Sequence, residues 1–158
     1  MAWLRSIRHP LRRFAQVDGH RRALVIEAAI WLWLASAALR LVPFPRLARW
    51  LGTFVTPEMA RASVAKSPRS RDDVRIAGDI GWAVTRAARH VPFAAVCLPQ
   101  AMAARVMLKR RGVASILHFG AAKTDNQTLD AHAWLDAAGV EVTGYPVARR
   151  FTEIACYV

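Results

Sequence analysis

The stretch CLPQAMAARVMLKRRGVASILHFGAA, residues 97–122, decides the fold, because a helical pattern in it changes directly into a strand pattern. Pro99 suits the first turn of a helix, and Gly112, which follows a run of basic residues, suits the position just past the end of that helix. Residues 113–122 then alternate as in a half-buried strand. The stretch therefore predicts a helix that begins near Cys97 and leads straight into a sheet.

The residues downstream extend this sheet. The segment AHAWLDAAGVEVTGY, residues 131–145, predicts a hairpin that turns near Ala138-Gly139. The segment FTEIACYV, residues 151–158, predicts a closing strand. Between the first strand and the hairpin, the polar segment KTDNQT, residues 123–128, predicts a loop. We therefore expect an antiparallel sheet after the helix.

The residues upstream predict helices. Asp72 and Asp73 suit the first turn of a helix that runs to about His90, where basic side chains complement the negative end of the helix dipole. The segment RLARWLGTFV, residues 46–55, predicts a short helix, and residues 1–22 predict a basic amphipathic segment.

Residues 23–42 form the most apolar segment of the chain. Its uncharged run extends only from Ala28 to Leu39, between Glu27 and Arg40. A membrane span needs roughly 20 consecutive apolar residues. We therefore expect a helix buried in the protein, with an interfacial helix and a true membrane span as the alternatives.

Taken together, these elements predict an α+β fold in three segments. Residues 1–56 are a helical, basic and apolar N-terminal region, and residues 57–71 are a polar linker. Residues 72–158 are a domain in which the helix that begins at Cys97 packs on an antiparallel sheet. A chain of 158 residues can bury such a core without disulfides or a structural metal.

The formal charge of +12 is distributed unevenly. Residues 1–122 contain 20 Lys and Arg against 6 Asp and Glu, whereas residues 123–158 contain 3 against 5. Such a basic surplus predicts an acidic partner, such as an acidic peptide or anionic lipid. We do not expect a nucleic acid, because the sequence contains no recognition motif for one.

The two cysteines, Cys97 and Cys156, are far apart and in unlike surroundings. No CxxC or Cys/His pattern with zinc spacing is present, so we expect neither a metal nor a cofactor. The basic start of the chain is followed by no small-residue cleavage site. We therefore expect a cytoplasmic protein, with peripheral contact to the membrane as an alternative.

Cys97 and His132 are the candidate catalytic pair. Cys97 lies where a loop becomes a helix, and the free N–H groups and dipole of a helix start favour a thiolate there. His132 lies on a strand, and a helix-borne cysteine that faces a strand-borne histidine is the arrangement of papain-like enzymes. Cys156 is interpreted as a core residue and His118 as a structural one.

The same residues support a resemblance. The Cys-Leu-Pro of CLPQAMAARVMLKRRGV, the His-Ala-Trp of AHAWLDAAGVEVTGYPV and the terminal FTEIACYV resemble the leader peptidases of lasso-peptide biosynthesis, the transglutaminase-like family of the microcin-processing protein. The similarity covers residues 72–158, and the apolar helical stretch before them resembles the region that precedes this domain. The resemblance implies a papain/transglutaminase-like domain.

The activity implied is that of a Cys–His–Asp protease that removes the leader from a ribosomally made precursor peptide. Cys97 would be the nucleophile and His132 its base. The implied partners are the precursor leader, a separate leader-recognition protein and a lasso cyclase that uses ATP. Contact of the N-terminal region with a membrane surface is a further expectation.

The third catalytic residue departs from the family pattern, which places an aspartate about a dozen residues after the histidine. This chain has Thr143-Gly144-Tyr145 there. Symmetric pairing about the predicted turn places Tyr145 opposite His132. Asp130, two positions along the strand, is the nearest carboxylate by this register, but a solvated strand end suits it equally. Tyr145 or a backbone carbonyl are the other candidates to orient His132.

Two other functions agree with the same residues. An amine instead of water would resolve the thioester in a transglutaminase-like acyltransferase. A non-catalytic, membrane-apposed scaffold of a peptide-maturation complex would explain both the missing aspartate and the amphipathic start.

Overall fold

The computed structural model describes residues 19–66, 70–123 and 128–158. Its helices are α1 (Gly19–Leu41), α2 (Phe44–Leu51), α3 (Pro57–Lys66), α4 (Arg71–Ala88) and α5 (Cys97–Lys109), and a 3-10 helix covers Val147–Arg150. Its strands are β1 (Phe54–Val55), β2 (Ser115–Lys123), β3 (Leu129–Ala137), β4 (Val140–Thr143) and β5 (Thr152–Tyr157). The mixed architecture of helices and an antiparallel sheet confirms the predicted α+β fold, with helices before the Cys-bearing helix and its sheet.

The helix α1 corresponds to the predicted apolar helix. Residues at helical spacing on one side are buried in the core, among them Leu24, Ala28 and Leu32. The other side exposes large apolar side chains, including Ile30 and Trp33. By length and composition alone α1 could cross a membrane, a test that core helices and signal sequences also pass. Of the predicted amphipathic segment 1–22, residues 1–18 lie outside the described residues.

An ion pair joins α1 to the end of α5. Arg111 Nη2 lies 2.6 Å from Glu27 Oε2, and Arg111 also donates to the carbonyl oxygen of Met107. The hydrogen bond from Arg111 lowers the pKa of Glu27 below its usual value, although partial burial acts in the opposite direction. The N-terminal helix is thus tied electrostatically to the helix that carries Cys97.

The helix α4 begins where its acidic first turn predicts. The Ser70 hydroxyl accepts a hydrogen bond from the Asp73 N–H, and the Asp73 carboxylate accepts one from the Ser70 N–H, which makes a complete capping box. Further along, α4 passes so close to β4 that a Cβ on Gly81 would lie 2.7 Å from the Val142 carbonyl oxygen. Only glycine allows this approach, which sets the distance between α4 and the sheet.

The five strands of the described chain form one antiparallel sheet in the order β1-β5-β2-β3-β4. The last strand therefore does not close an edge but lies between β1 and β2. The hairpin turns at Ala138 and Gly139 as predicted, and both residues have positive φ.

The predicted hairpin register is wrong beyond its first two pairs. Asp136 pairs with Glu141, but Leu135 pairs with Thr143, because a β-bulge shifts the register between Leu135 and Asp136. The strand β4 then ends at Thr143. Tyr145 is therefore not the cross-strand partner of His132.

Two apolar layers cover the sheet. The helices α1, α4 and α5 share the main core with the inner side chains of β2 and β3, such as Leu117 and Leu135. The helix α3 contributes Ala60, which clusters with Ile116 and Cys156. Residues 57–66 of the predicted polar linker thus form a packed helix, and the predicted short helix over residues 46–55 is α2 followed by β1. The division into segments 1–56, 57–71 and 72–158 stays a prediction.

The substitution Gly81→Ala is expected to destabilise the fold by about 1–3 kcal/mol, because its methyl group overlaps a backbone carbonyl that cannot rotate away. Gly78→Ala, one turn earlier in α4, meets no atom within 4 Å and is expected to stabilise the fold by up to about 1 kcal/mol. Urea unfolding of both variants checks this. Equal effects of the two substitutions would contradict the close approach of α4 to β4.

The substitution Glu27→Gln is expected to lower the free energy of unfolding by about 1 kcal/mol at neutral pH, since the ion pair is partly exposed and screened. A depressed carboxyl pKa contributes stability above the unfolded pKa, and that contribution is lost as pH falls through the folded pKa. The difference between wild type and variant should therefore vanish in acid. Glu58→Gln, at an exposed glutamate, is the control, and a difference that persists below the folded pKa would contradict this account.

Candidate active site

Cys97 is the first residue of α5 and is half-buried. The N-cap residue Val96 makes no side-chain cap, so the N–H groups of Cys97 and Leu98 in the first turn face no cap from it and suit a developing negative charge. One turn on, Gln100 donates from Nε2 to the Ala95 carbonyl oxygen at 2.6 Å. This contact anchors the loop that leads into Cys97, so the thiol sits on a supported helix start.

His132 lies on β3, and its ring is held by both hydrogen bonding and stacking. Its Nε2 lies 2.8 Å from the Gly144 carbonyl oxygen. A carbonyl only accepts, so Nε2 carries the hydrogen and Nδ1 of the neutral ring keeps the lone pair. The ring also stacks on Phe151, with centroids 5.0 Å apart. Within the described residues no hydrogen bond engages Nδ1, which is thus the nitrogen available to accept a proton.

The group that orients His132 is therefore a backbone carbonyl, one of the three candidates left open by the sequence. Asp130 is exposed, and its Oδ1 accepts from the Ala131 N–H at 2.9 Å. Tyr145 donates its hydroxyl to Asp136 instead. Gly144 follows His132 by twelve residues, and its carbonyl oxygen fixes the orientation of the ring.

Cys97 and His132 line the same open cavity of about 530 Å³, between α4, the start of α5 and the end of β4. In the described part of the chain no hydrogen bond joins the two side chains. Catalytic hydrogen bonds are often long in structures without substrate and tighten when it binds. The fold thus brings the predicted pair to one cavity, and their catalytic roles stay a prediction.

The cavity has a basic side. Arg86 and Arg89, from the end of α4, lie on its lining together with Trp82. The guanidinium of Arg86 lies 5.8 Å from the centre of the Trp82 ring, and that of Arg21 from α1 lies 5.2 Å from it. This side of the cavity is therefore suited to contact a negatively charged group, although Glu141 also lies on the lining.

A second cluster of titratable groups lies around His118, which sequence reasoning assigned a structural role. Its Nδ1 lies 2.5 Å from Glu153 Oε1, and its Nε2 lies 3.3 Å from Asp136 Oδ2. Burial acts to lower the pKa of His118, but the two carboxylates outweigh burial and raise it. Burial acts to raise the pKa of Glu153, but hydrogen bonds from Cys156 and His118 lower it.

Cys156 belongs to this second cluster, and its setting is unlike that of Cys97. The residue is fully buried, and its Sγ donates to Glu153 Oε1 at 2.9 Å. Burial, reinforced by Glu153, raises the pKa of the Cys156 thiol to about 12. Because the thiolate is the nucleophile, Cys156 is not suited to attack a carbonyl even though His118 is adjacent.

Tyr145 connects the two regions. Its hydroxyl donates to Asp136 Oδ1 at 2.7 Å, and it directly follows Gly144, whose carbonyl holds His132. Burial, together with Asp136, raises the pKa of Tyr145, so its hydroxyl remains a donor at neutral pH. No signal in the sequence indicates this link, because it depends on the bulge that moves Tyr145 away from His132.

In the folded protein, iodoacetamide is expected to modify Cys97 and leave Cys156 unmodified, because only Cys97 is accessible and lies at a helix start. Both thiols should react once the protein is unfolded in guanidinium. Intact-mass measurement and peptide mapping check this, with Cys97→Ser as the control that removes native labelling. Rapid labelling of Cys156 in the folded protein would contradict the burial described here.

Comparison with known protein families gives one match for this chain. The transglutaminase-like superfamily matches residues 38–156, which is more than half of the chain and begins within α1. A search of curated proteins and a search of solved structures gave no significant match. The matched region contains Cys97, His132 and the whole sheet apart from Tyr157. The chain therefore belongs to the transglutaminase-like superfamily.

Proposed function

We propose that this protein is a cysteine peptidase that removes the leader from a ribosomally made lasso-peptide precursor. The observation that carries the proposal is one open cavity whose lining includes both Cys97, at a helix start, and His132, whose Nε2 is bonded to the Gly144 carbonyl oxygen. Membership of the transglutaminase-like superfamily supports cysteine-based acyl chemistry in general. The lasso precursor is proposed from the resemblance of the Cys-Leu-Pro and His-Ala-Trp segments.

The chemistry assigns one step to each group. His132 Nδ1 takes the thiol proton as Cys97 Sγ attacks the carbonyl carbon of the last leader residue, and the first-turn N–H groups of α5 stabilise the oxyanion. The peptide C–N bond breaks, and His132 returns the proton to the leaving amine of the core peptide. Water then attacks the thioester, which releases the leader carboxylate and restores the thiol.

Substrate binding has to close the gap between the two side chains. Cys97 and His132 share no hydrogen bond in the resting site, so a peptide seated in the cavity would need to bring them together. Arg86 and Arg89 on the cavity lining suit carboxylates of a leader or of the protein that presents it. The proposed partners are accordingly the precursor leader, a separate leader-recognition protein and the lasso cyclase that receives the core peptide.

The proposed place of action is the cytoplasm, with peripheral contact to the membrane through the N-terminal region. The exposed apolar side of α1, which includes Ile30 and Trp33, supports a contact of this kind. If anionic groups contribute to partner or membrane binding, that binding should weaken as salt rises from low to physiological ionic strength.

The proposal predicts cleavage of the precursor at the leader junction when it is incubated with the protein and its recognition partner. Mass spectrometry should find two peptides whose masses together equal the precursor plus one water. Cys97→Ala and His132→Gln should abolish cleavage, whereas Asp130→Asn should cleave normally, because among the described residues the Asp130 carboxylate bonds the Ala131 N–H and not His132.

The other outcomes separate the alternatives. A mass gain on the precursor without cleavage would identify an acyltransferase, in which an amine resolves the thioester. Precursor binding with no change in mass, for wild type and Cys97→Ala alike, would contradict the peptidase and favour the scaffold. Loss of cleavage in Asp130→Asn would show that the Gly144 carbonyl does not suffice to orient His132.

A further inference from the structure

The second cluster contains three side chains of types that ligate metals, His118, Glu153 and Cys156, and no sequence motif predicts that they lie together. His118 on β2 pairs directly with Cys156 on β5, and a register shift after Phe119 brings Glu153 to the same place. Among the described residues, the donor atoms of these three side chains all lie within 4.8 Å of one another. Imidazole, thiolate and carboxylate together are a donor set that zinc and related transition metals prefer.

The distances in the cluster are close to those of a tetrahedral site. His118 Nδ1 lies 3.4 Å from Cys156 Sγ, and Glu153 Oε1 lies 2.9 Å from that sulfur and 2.5 Å from that nitrogen. Ligand bonds of about 2.0–2.3 Å separate tetrahedral donor atoms by roughly 3.3–3.7 Å. The first distance already fits, and the other two need to open by about 1 Å or less. In the metal-free cluster, hydrogen bonds from Cys156 Sγ and His118 Nδ1 to Glu153 Oε1 hold these atoms together. A metal ion would replace the protons in these hydrogen bonds.

The surroundings supply the second layer that metal sites require. Nε2 of His118 is buried without an aligned hydrogen bond in the described residues, and Asp136 Oδ2 lies 3.3 Å from it. A ligating histidine commonly donates its other N–H to a carboxylate, and Asp136 is near enough to accept it after a small rotation of the ring or the carboxylate. Arg61 binds the outer oxygen of Glu153 at 2.8 Å, which leaves Oε1 directed at the cluster.

An ion has a route to two of these three ligands, His118 and Glu153. A separate cavity of about 450 Å³ is lined by His118, Glu153 and Asp136, with Arg61 and Tyr145 beside them. Water from this cavity can take the fourth position on the metal, so three protein ligands suffice. The cavity is distinct from the one that Cys97 lines, although Tyr145 borders both.

We propose that His118 Nδ1, Glu153 Oε1 and Cys156 Sγ form a binding site for one divalent transition-metal ion, with Zn²⁺ as the best fit. Binding breaks the S–H bond of Cys156 and the N–H bond at Nδ1 of a protonated His118, forms one bond from the metal to each ligand and releases both protons to water. A thiolate, a carboxylate and a neutral imidazole then balance the two positive charges of the ion. Hard cations such as Mg²⁺ and Ca²⁺ are disfavoured by the sulfur ligand.

The bound ion would have a structural role in the sheet. It would fasten β2 to β5 and, through Asp136 and Tyr145, would restrain the segment in which Gly144 holds His132. This site revises the expectation from the sequence that no metal binds. It does not depend on the proposed peptidase activity, because none of its ligands lines the cavity of Cys97.

The test uses the full-length purified protein, treated with a chelator and then titrated with Co²⁺ as a spectroscopic probe. Wild type is expected to bind one Co²⁺ per chain, with a sulfur-to-cobalt charge-transfer band and the strong visible bands of a tetrahedral site. Zn²⁺ should displace the cobalt and raise the Tm. Wild-type protein that shows no charge-transfer band would overturn the proposal.

The two cysteines provide matched variants. Cys156→Ser should lose the charge-transfer band and bind Co²⁺ at least about tenfold more weakly, whereas Cys97→Ser should retain both band and affinity. Glu153→Gln should weaken binding to a similar extent but keep the band, which covers the case in which Cys156→Ser fails to fold. Three outcomes would show adventitious binding and overturn the proposal. The charge-transfer band could survive in folded Cys156→Ser, or it could disappear in Cys97→Ser. Glu153→Gln could also bind Co²⁺ with unchanged affinity.

Discussion

The packing of α5 against the middle of the sheet is the constraint on which the rest of the structure depends. Its buried face consists largely of small side chains, such as Ala101 and Ala104, followed by Met107 and Leu108 nearer its end. Small residues at the start allow the helix backbone to approach β3 closely, and larger ones fill the space further along. Because this contact fixes the axis of α5, it also fixes where the helix starts and therefore where Cys97 is presented.

A half-buried arginine secures the same helix to the sheet. Arg105 Nη1 donates to the carbonyl oxygens of Ser115 and Tyr157, both at 3.0 Å, so one side chain on α5 contacts both β2 and β5. Burial lowers the pKa of Arg105, but two accepting carbonyls satisfy the charge that burial penalises. Together with the Glu27–Arg111 ion pair, this bond orients α5 relative to the sheet and to α1.

The use of a backbone carbonyl beside His132 has a chemical consequence. The Gly144 oxygen sets the tautomer as well as a carboxylate would, because both only accept hydrogen bonds. It carries a partial rather than a full negative charge, so it stabilises an imidazolium less than an aspartate does. In the proposed peptidase, such a site would rely more on the helix start at Cys97 to support charge, and on the bound substrate to bring thiol and ring together.

The sequence by itself determined the local elements and hence the fold class. Pro99, Gly112 and the acidic first turn of α4 act within a few residues of where they stand, so α4, α5 and the hairpin could be predicted. It also pointed to Cys97 and His132, because a helix start and a strand position are local properties.

Only the tertiary structure decided the bulge at Leu135, the insertion of β5 between β1 and β2, and the choice of the Gly144 carbonyl over Asp130. These features depend on strand pairing between distant segments and on backbone atoms. Every residue has the same backbone atoms, so the residue type at a position does not predict them. The cluster of His118, Glu153 and Cys156 was hidden for the same reason, since its members lie on two strands that meet only in the folded sheet.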